Sequence, residues 1–293
     1  MGTPFIALLE PTPLAWERAL PPASQPASAS IPRTFLDAMT VRSEVFVQEQ
    51  NIPQSNEFDP DDPRCAHWVI YASVNQTIAP AVTDPTTGEV IRPRQSETKS
   101  LPIGTVRLVP FPHPPHPRKG GVYVDGELIN TTTTTTPPNG DTPLPVQPLT
   151  SQEQEQARRA STIPTFTPDR PTTLHDGREP YVKLGRLAVT KEFRGRGLAG
   201  QLVRTAVDWM RKHPSYFDPS PAERGFEHLG MEQGGTLPRW NGLFCCHAQV
   251  DAVRAWEKSG FQVDQEMGEW MEEGIPHVGM FLRVQVEPEA KQV

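Results

Sequence analysis

The chain has 293 residues, 36% of them hydrophobic, and a formal net charge of −7, enough to bury one sizeable core or two small ones. The acidic balance argues against a general nucleic-acid binder, which needs a basic excess, and no apolar run approaches the length of a membrane span. Its 34 prolines are clustered and far above ordinary usage, which points to loop-rich stretches between folded ones.

In chain order, residues 1–30 are rich in Pro, Ala and Ser and read as a loosely ordered lead-in. The first ten residues lack the basic region and small-residue cleavage site of a signal peptide. Ile6 stands where a myristoylated Gly2 would require Ser or Thr. An intracellular compartment, cytoplasmic or nuclear, is expected. Ile31, Phe35, Met39, Val41, Val45 and Phe46 recur at helical spacing and predict one apolar helix face. An acidic loop with Asp59, Asp61 and Asp62 follows. Its carboxylates could draw a cationic acceptor, but a turn by itself uses such residues. His67–Ser73 and Pro102–Pro110 predict strands.

From about 111 to 179 the composition changes to low complexity, with His113-Pro-Pro-His116 and six threonines from Thr131 to Thr136. So little apolar surface cannot offset chain entropy. A surface insertion is predicted, with exposed histidines and one short strand at Gly121–Val124. Tyr181–Val189 predicts a strand, and Leu198, Leu202, Val203, Ala206, Val207 and Met210 predict a helix. A second insertion, about 212–241, precedes a strand at Gly242–His247. A helix over 249–258 ends at Gly260, and two strands near 261–270 and 277–286 close the chain. The expected class is α/β, one domain over 31–293 with two insertions.

Three cysteines define no disulfide framework. Cys65-x-His67 and Cys245-x-His247 each place two ligand types on one strand face, but buried free cysteine is the more ordinary reading. No metal is expected.

The most informative stretch is Lys183 to Ala199: an apolar strand, a short charged loop, then Arg194-Gly195-Arg196-Gly197 opening onto a helix. Glycines let a ligand approach the backbone, and the first helical turn offers N–H groups to phosphate. Arg194 and Arg196 add cationic donors. Gly195-x-Gly197-x-x-Gly200 matches a dinucleotide fingerprint, which needs the glycines straight after a strand and an acidic residue roughly 20 positions on. A polar segment, Thr190–Phe193, separates strand from turn, and the proline-broken loop beyond the helix holds no second parallel strand. The dinucleotide reading is weak.

Arg194-x-x-Gly197-x-Ala199 instead resembles the (Gln/Arg)-x-x-Gly-x-(Gly/Ala) signature of the GNAT superfamily of acetyl-CoA-dependent N-acetyltransferases. Arg42-Ser-Glu-Val-Phe46 with Glu49-Gln50, followed by Glu57–Asp62 and His67, then Ala252–Phe261 and Glu272–Met280 with its Gly274-Ile-Pro-His277, resemble the ElaA/YjcF-like branch. The resemblance covers about half the chain, in four separated blocks. It implies a GNAT acyl-CoA N-acyltransferase fold, a mixed central sheet flanked by helices, that binds acetyl-CoA and acetylates a primary amine of a small molecule or protein. Leu187, Ala188 and Val189 would pair with the pantetheine arm. Arg194, Gly195, Arg196, Gly197, Leu198 and Ala199 would cradle the pyrophosphate. Trp256 stands where many members carry the tyrosine that protonates the departing thiolate, and an indole cannot give up its proton. The candidate bases are Glu49, Glu272 and His277, in that order. The alternative is a catalytically weak CoA-binding or protein-interaction module.

Overall fold

The structure, a computed structural model, describes residues 4–131, 168–219 and 237–286. Most of the threonine run and the middle of both expected insertions lie outside the described residues. In chain order the elements are β1 (Phe5–Leu9), α1 (Arg33–Arg42) continued by a π-helical segment (Ser43–Glu49), α2 (Gln54–Glu57), β2 (Ala66–Ala79), β3 (Val82–Thr83), β4 (Val90–Arg92) and β5 (Gln95–Val109). Then come β6 (Gly121–Val124), β7 (Glu127–Thr131), β8 (Val182–Val189), α3 (Leu198–Lys212), β9 (Leu243–Gln249), α4 (Val253–Glu257), β10 (Gln262–Val263), β11 (Glu269–Glu272) and β12 (Ile275–Arg283). Contacts group these into two compact units, and β8 gives its first two residues to the second unit and the rest to the first.

In the first unit β1, β2 and β5 form an antiparallel sheet that continues to β8. Residues 4–30, marked by composition as loosely ordered, carry β1 and the buried Trp16, which packs on Phe35 and Phe58. Side chains of β2 alternate between faces. Val69 and Tyr71 meet Ala38 of α1, while Trp68 meets Trp209 of α3 edge-on at 5.7 Å. The two helices therefore cover opposite faces. The six apolar positions expected of α3 are all buried. Gly104 permits close packing, since a Cβ there would sit 3.0 Å from the Ala188 carbonyl and from Ile70.

In the second unit β8 starts parallel to β9, with Val182 opposite Phe244 and Lys183 opposite Cys245. β9 pairs antiparallel with β12, β12 with β11 and with β10, β11 runs parallel to β6, and β6 turns back into β7. The sheet is mixed. Gly274-Ile-Pro-His277 is the end of a two-residue hairpin turn and the start of β12, which begins two residues before the expected strand. Glu273 and Gly274 have φ of 50° and 76°, as such a turn requires. The histidines expected to be exposed are not. His116 is 4% exposed, its Nε2 lies 2.9 Å from His175 Nδ1, and its ring stacks on Tyr181. His113 stacks on the same tyrosine at 4.4 Å. Aromatic packing draws the two ends of the expected insertion into this core.

A buried ion network ties the first unit together. Arg42 Nε reaches Glu57 Oε1 at 2.5 Å, and its Nη1 and Nη2 grip Asp62 at 2.7 and 3.1 Å. Arg107 Nη1 bridges Asp59 at 2.7 Å and Asp62 at 2.8 Å. Burial works against the Asp62 charge, but Arg42 and Arg107 outweigh it and hold the carboxyl far below the usual range. His67 Nε2 lies 2.9 Å from the Asp62 carbonyl, and burial pushes its pKa down to about 4 despite the nearby carboxylate.

Arg42→Met should destabilise the protein by about 3 kcal/mol in urea titrations, because it takes one of two guanidinium partners from each of two buried carboxylates, Glu57 and Asp62. A second expectation concerns acid. Unfolded histidine takes its proton near 6.5 and folded His67 near 4, so between those values the unfolded state binds more protons and stability falls as pH falls, by up to about 3 kcal/mol. His116, pushed by burial to about 3, adds to the same slope. His67→Gln should therefore roughly halve the pH dependence of the urea midpoint between about pH 4 and 6.5 rather than abolish it.

Candidate active site

The expected ligand-binding stretch begins inside β8. Arg186, within that strand, has φ of +49°, a left-handed conformation that costs a residue with a side chain about 1–2 kcal/mol. Ion pairs offset that cost: its Nε lies 3.2 Å from Glu57 Oε1 and its Nη2 lies 3.1 Å from Asp59 Oδ2. The network anchored on Arg42 thus also fixes a kink in the strand that leads to the turn. Beyond the kink, Leu187 is half-buried, while Ala188 and Val189 are buried. Ala188 packs on Val41, Val45 and Phe46, and Thr190 N donates to the Ile103 carbonyl at 2.9 Å.

A single 3-10 turn, Lys191–Phe193, leads into the glycines. Gly195 and Gly197 have φ of +75° and +76°, and a Cβ on either would meet nothing within 4 Å. The turn is thus glycine for its backbone conformation, and space lies open beside it. Gln201 N donates to the Gly197 carbonyl, so Gly197 caps α3. The N–H groups of Leu198, Ala199 and Gly200 then have no acceptor within the helix. A fifteen-residue helix adds its positive end to those donors. Arg196 lies exposed over the Phe193 ring at 5.3 Å.

The sequence offers Arg194 as a phosphate cation and Glu49 as a base, and the structure joins the two to each other. Arg194 Nη2 bonds Glu49 Oε2 at 2.7 Å, while its Nε bonds the Val189 carbonyl at 2.9 Å. Glu49 closes the π-helical segment. The pair ties the end of the π-helical segment to the residue that opens the glycine turn. Trp256 of α4 is 4% exposed.

In the second unit Glu272 is the centre of a polar cluster. Its Oε1 accepts from Trp270 Nε1 at 2.7 Å and from His247 Nδ1 at 2.9 Å. Burial alone would raise its pKa, but His247 and His277 reverse that and keep the carboxylate well below its usual range. His277 is buried, with Nδ1 directed at the Ile275 carbonyl at 2.8 Å. Cys245, two residues before His247, has its thiol pushed up to about 12 by burial, which leaves it inert.

Residues 165–219, which include β8, the glycine turn and α3, match the acetyltransferase (GNAT) family profile. No curated protein matches the sequence. Among solved structures, a candidate N-acetyltransferase of Lactobacillus plantarum is similar at 17% identity and a TM-score of 0.43, covering 98% of this chain and 100% of that one. An acyl-CoA N-acyltransferase of Pseudomonas aeruginosa is similar at 14% identity and 0.40, covering 96% and 100%. Escherichia coli ElaA is similar at 13% identity and 0.41, covering 95% and 99%. The mixed sheet flanked by helices is the architecture expected of an acyl-CoA N-acyltransferase. Among the described residues no helix is long and apolar enough to cross a membrane.

Sequence reasoning missed two residues. Nothing in Gly185-Arg186-Leu187 signals a left-handed strand residue, because arginine is not a residue type that favours it. His247 was visible only as half of a Cys-x-His pair, and its carboxylate partner comes from a different strand.

Proposed function

We propose that this protein is an N-acetyltransferase that moves the acetyl group of acetyl-CoA to a primary amine by direct attack in a ternary complex. The observation that carries the reading is the open glycine turn at the start of α3, lying in the segment that matches the GNAT profile. The fit is chemical: a pyrophosphate needs convergent N–H donors and cations. Gly197, Leu198, Ala199 and Gly200 offer the donors, and Arg194 and Arg196 the cations. Leu187, Ala188 and Val189 would hold the pantetheine arm through their main chain, on a strand fixed upstream by the Arg186 kink. Acetyl-CoA supplies an activated acyl carbon and a thiolate leaving group.

The chain's own residues then have three tasks. Backbone N–H groups polarise the thioester carbonyl. A base accepts the amine proton, and Glu49, Glu272 and His277 are the candidates the sequence offers for it. Trp256 can shield the departing sulfur but cannot protonate it, so the thiolate leaves as an anion. That last point favours a second reading, a CoA-binding module with weak turnover, which differs in predicting tight acetyl-CoA binding with no thiol release in the presence of amines.

Isothermal titration with acetyl-CoA tests the turn. Wild-type protein should bind it and should not bind NAD. Arg194→Ala with Gly197→Asp should abolish binding while the protein still melts cooperatively, because the pair removes a cation and sets a carboxylate against phosphate. Glu49→Gln, which only releases Arg194, should weaken binding about 5-fold or less, as expected for a partly exposed ion pair. Unchanged affinity in the folded double variant would reject the assignment of the turn.

A further inference from the structure

β2 and β5 outrun their neighbours in the sheet of the first unit. β1 pairs with β2 only from His67 to Tyr71. On the other side β8 ends at Val189, and the next residue, Thr190, bonds the Ile103 carbonyl. β2 and β5 nevertheless run on together, from Ala72 opposite Leu101 to Ala79 opposite Gln95. β3 and β4 extend the ribbon to a turn in which Asp84 N donates to the Glu89 carbonyl. Residues 72–101 thus form a two-stranded arm.

Its apolar side chains lack cover. Ile78, Val82, Val90, Ile91 and Leu101 are 42–66% exposed, and they make up half of the large hydrophobic residues that lie exposed among the described ones. A two-stranded ribbon is marginal by itself in water, so this one gains from any strand added to it. The edge of β5 over Gln95–Leu101 is exposed throughout, and among the described residues its ladder there is with β2 alone.

The charges on that edge decide what fits it. Glu97 and Lys99 share one face, about half exposed and 3.7 Å apart, while Ser96, Thr98 and Ser100 share the other. Set antiparallel to the same edge of a second copy, with the two-fold axis at Thr98, Glu97 meets the partner's Lys99 and Lys99 meets the partner's Glu97. Thr98 meets the partner's Thr98, and Ser96 the partner's Ser100. Opposite charges and paired hydroxyls are favourable directly across antiparallel strands, and like charges are not. Moving the axis one residue either way sets Glu97 or Lys99 against its own copy, so charge fixes the register. The other edge, Ala72–Ala79, carries no charge and specifies none.

We propose that this arm joins two copies of the chain, the β5 edges pairing antiparallel about Thr98 into a four-stranded ribbon. Pro93, which cannot donate to a ladder, bounds the paired segment at one end, and the bond to Thr190 bounds it at the other. Val82, Val90 and Ile91 at the tip of one arm then approach the partner's Leu101. The contact uses the same edge of both copies, so it closes at the dimer. It is independent of the acetyltransferase reading.

Sedimentation equilibrium of the purified full chain tests this. The wild-type protein should pass from monomer to dimer as concentration rises, and added salt should weaken the dimer, because exposed charges are screened. Glu97→Lys or Lys99→Glu alone should weaken it about 10-fold or more, since each sets like charges opposite one another at two places. Glu97→Lys combined with Lys99→Glu restores the pattern and should restore the dimer. Mixing the two single variants should do so as well, through a heterodimer. Both side chains are exposed, and cooperative melting checks that every variant folds. A wild-type chain that stays monomeric, a dimer indifferent to the single substitutions, or a failure of the exchange to rescue it would overturn the proposal.

Discussion

The first unit depends on one constraint: three arginines and three carboxylates that are tied together largely out of water. Arg42 and Arg107 are buried, and so are Glu57 and Asp62. Removing such charges from water is costly, and a well-packed apolar cluster would give comparable stability. What the ions add is direction. Arg42 comes from the end of α1, Glu57 from α2, Asp59 and Asp62 from the loop beyond it, Arg107 from β5 and Arg186 from β8. Each bond has a narrow geometry, so elements far apart in sequence are held in one relative placement. The strained backbone of Arg186 persists because the surrounding structure over-determines it.

That constraint explains why part of the chain was legible and part was not. α3 could be read residue by residue, because a helix covering a sheet repeats its apolar side chains at a fixed spacing. The strand–turn–helix from β8 to α3 was equally plain, since glycine pairs announce backbone conformations that other residues avoid. The Arg42 and Asp62 blocks were noticed as patterns, yet nothing in one sequence tells that they pair with each other. β1 went unread because its five apolar residues sit inside a Pro, Ala and Ser-rich lead-in, and composition averaged over the lead-in hides a short edge strand. His116 failed for a related reason. A proline-rich neighbourhood argues for exposure, whereas partners distant in sequence, Tyr181 and His175, supply a buried place for it.

Glu49 and Glu272 show how partners, not residue type, set a role. Both were candidates for the same proton. A guanidinium holds the first, so its charge is spent on fixing Arg194, which in turn bonds the last carbonyl of β8. The second is gripped by an imidazole and an indole, neither of which carries a fixed charge. A pair of this kind can pass through a protonated state without losing its geometry, because Glu272 remains hydrogen-bonded to Nδ1 whether Nε2 is bare or protonated. A carboxylate–guanidinium pair cannot, since protonating the carboxylate breaks the ion pair that defines it. The two carboxylates are thus set apart by their partners alone, a guanidinium for Glu49 and an imidazole with an indole for Glu272.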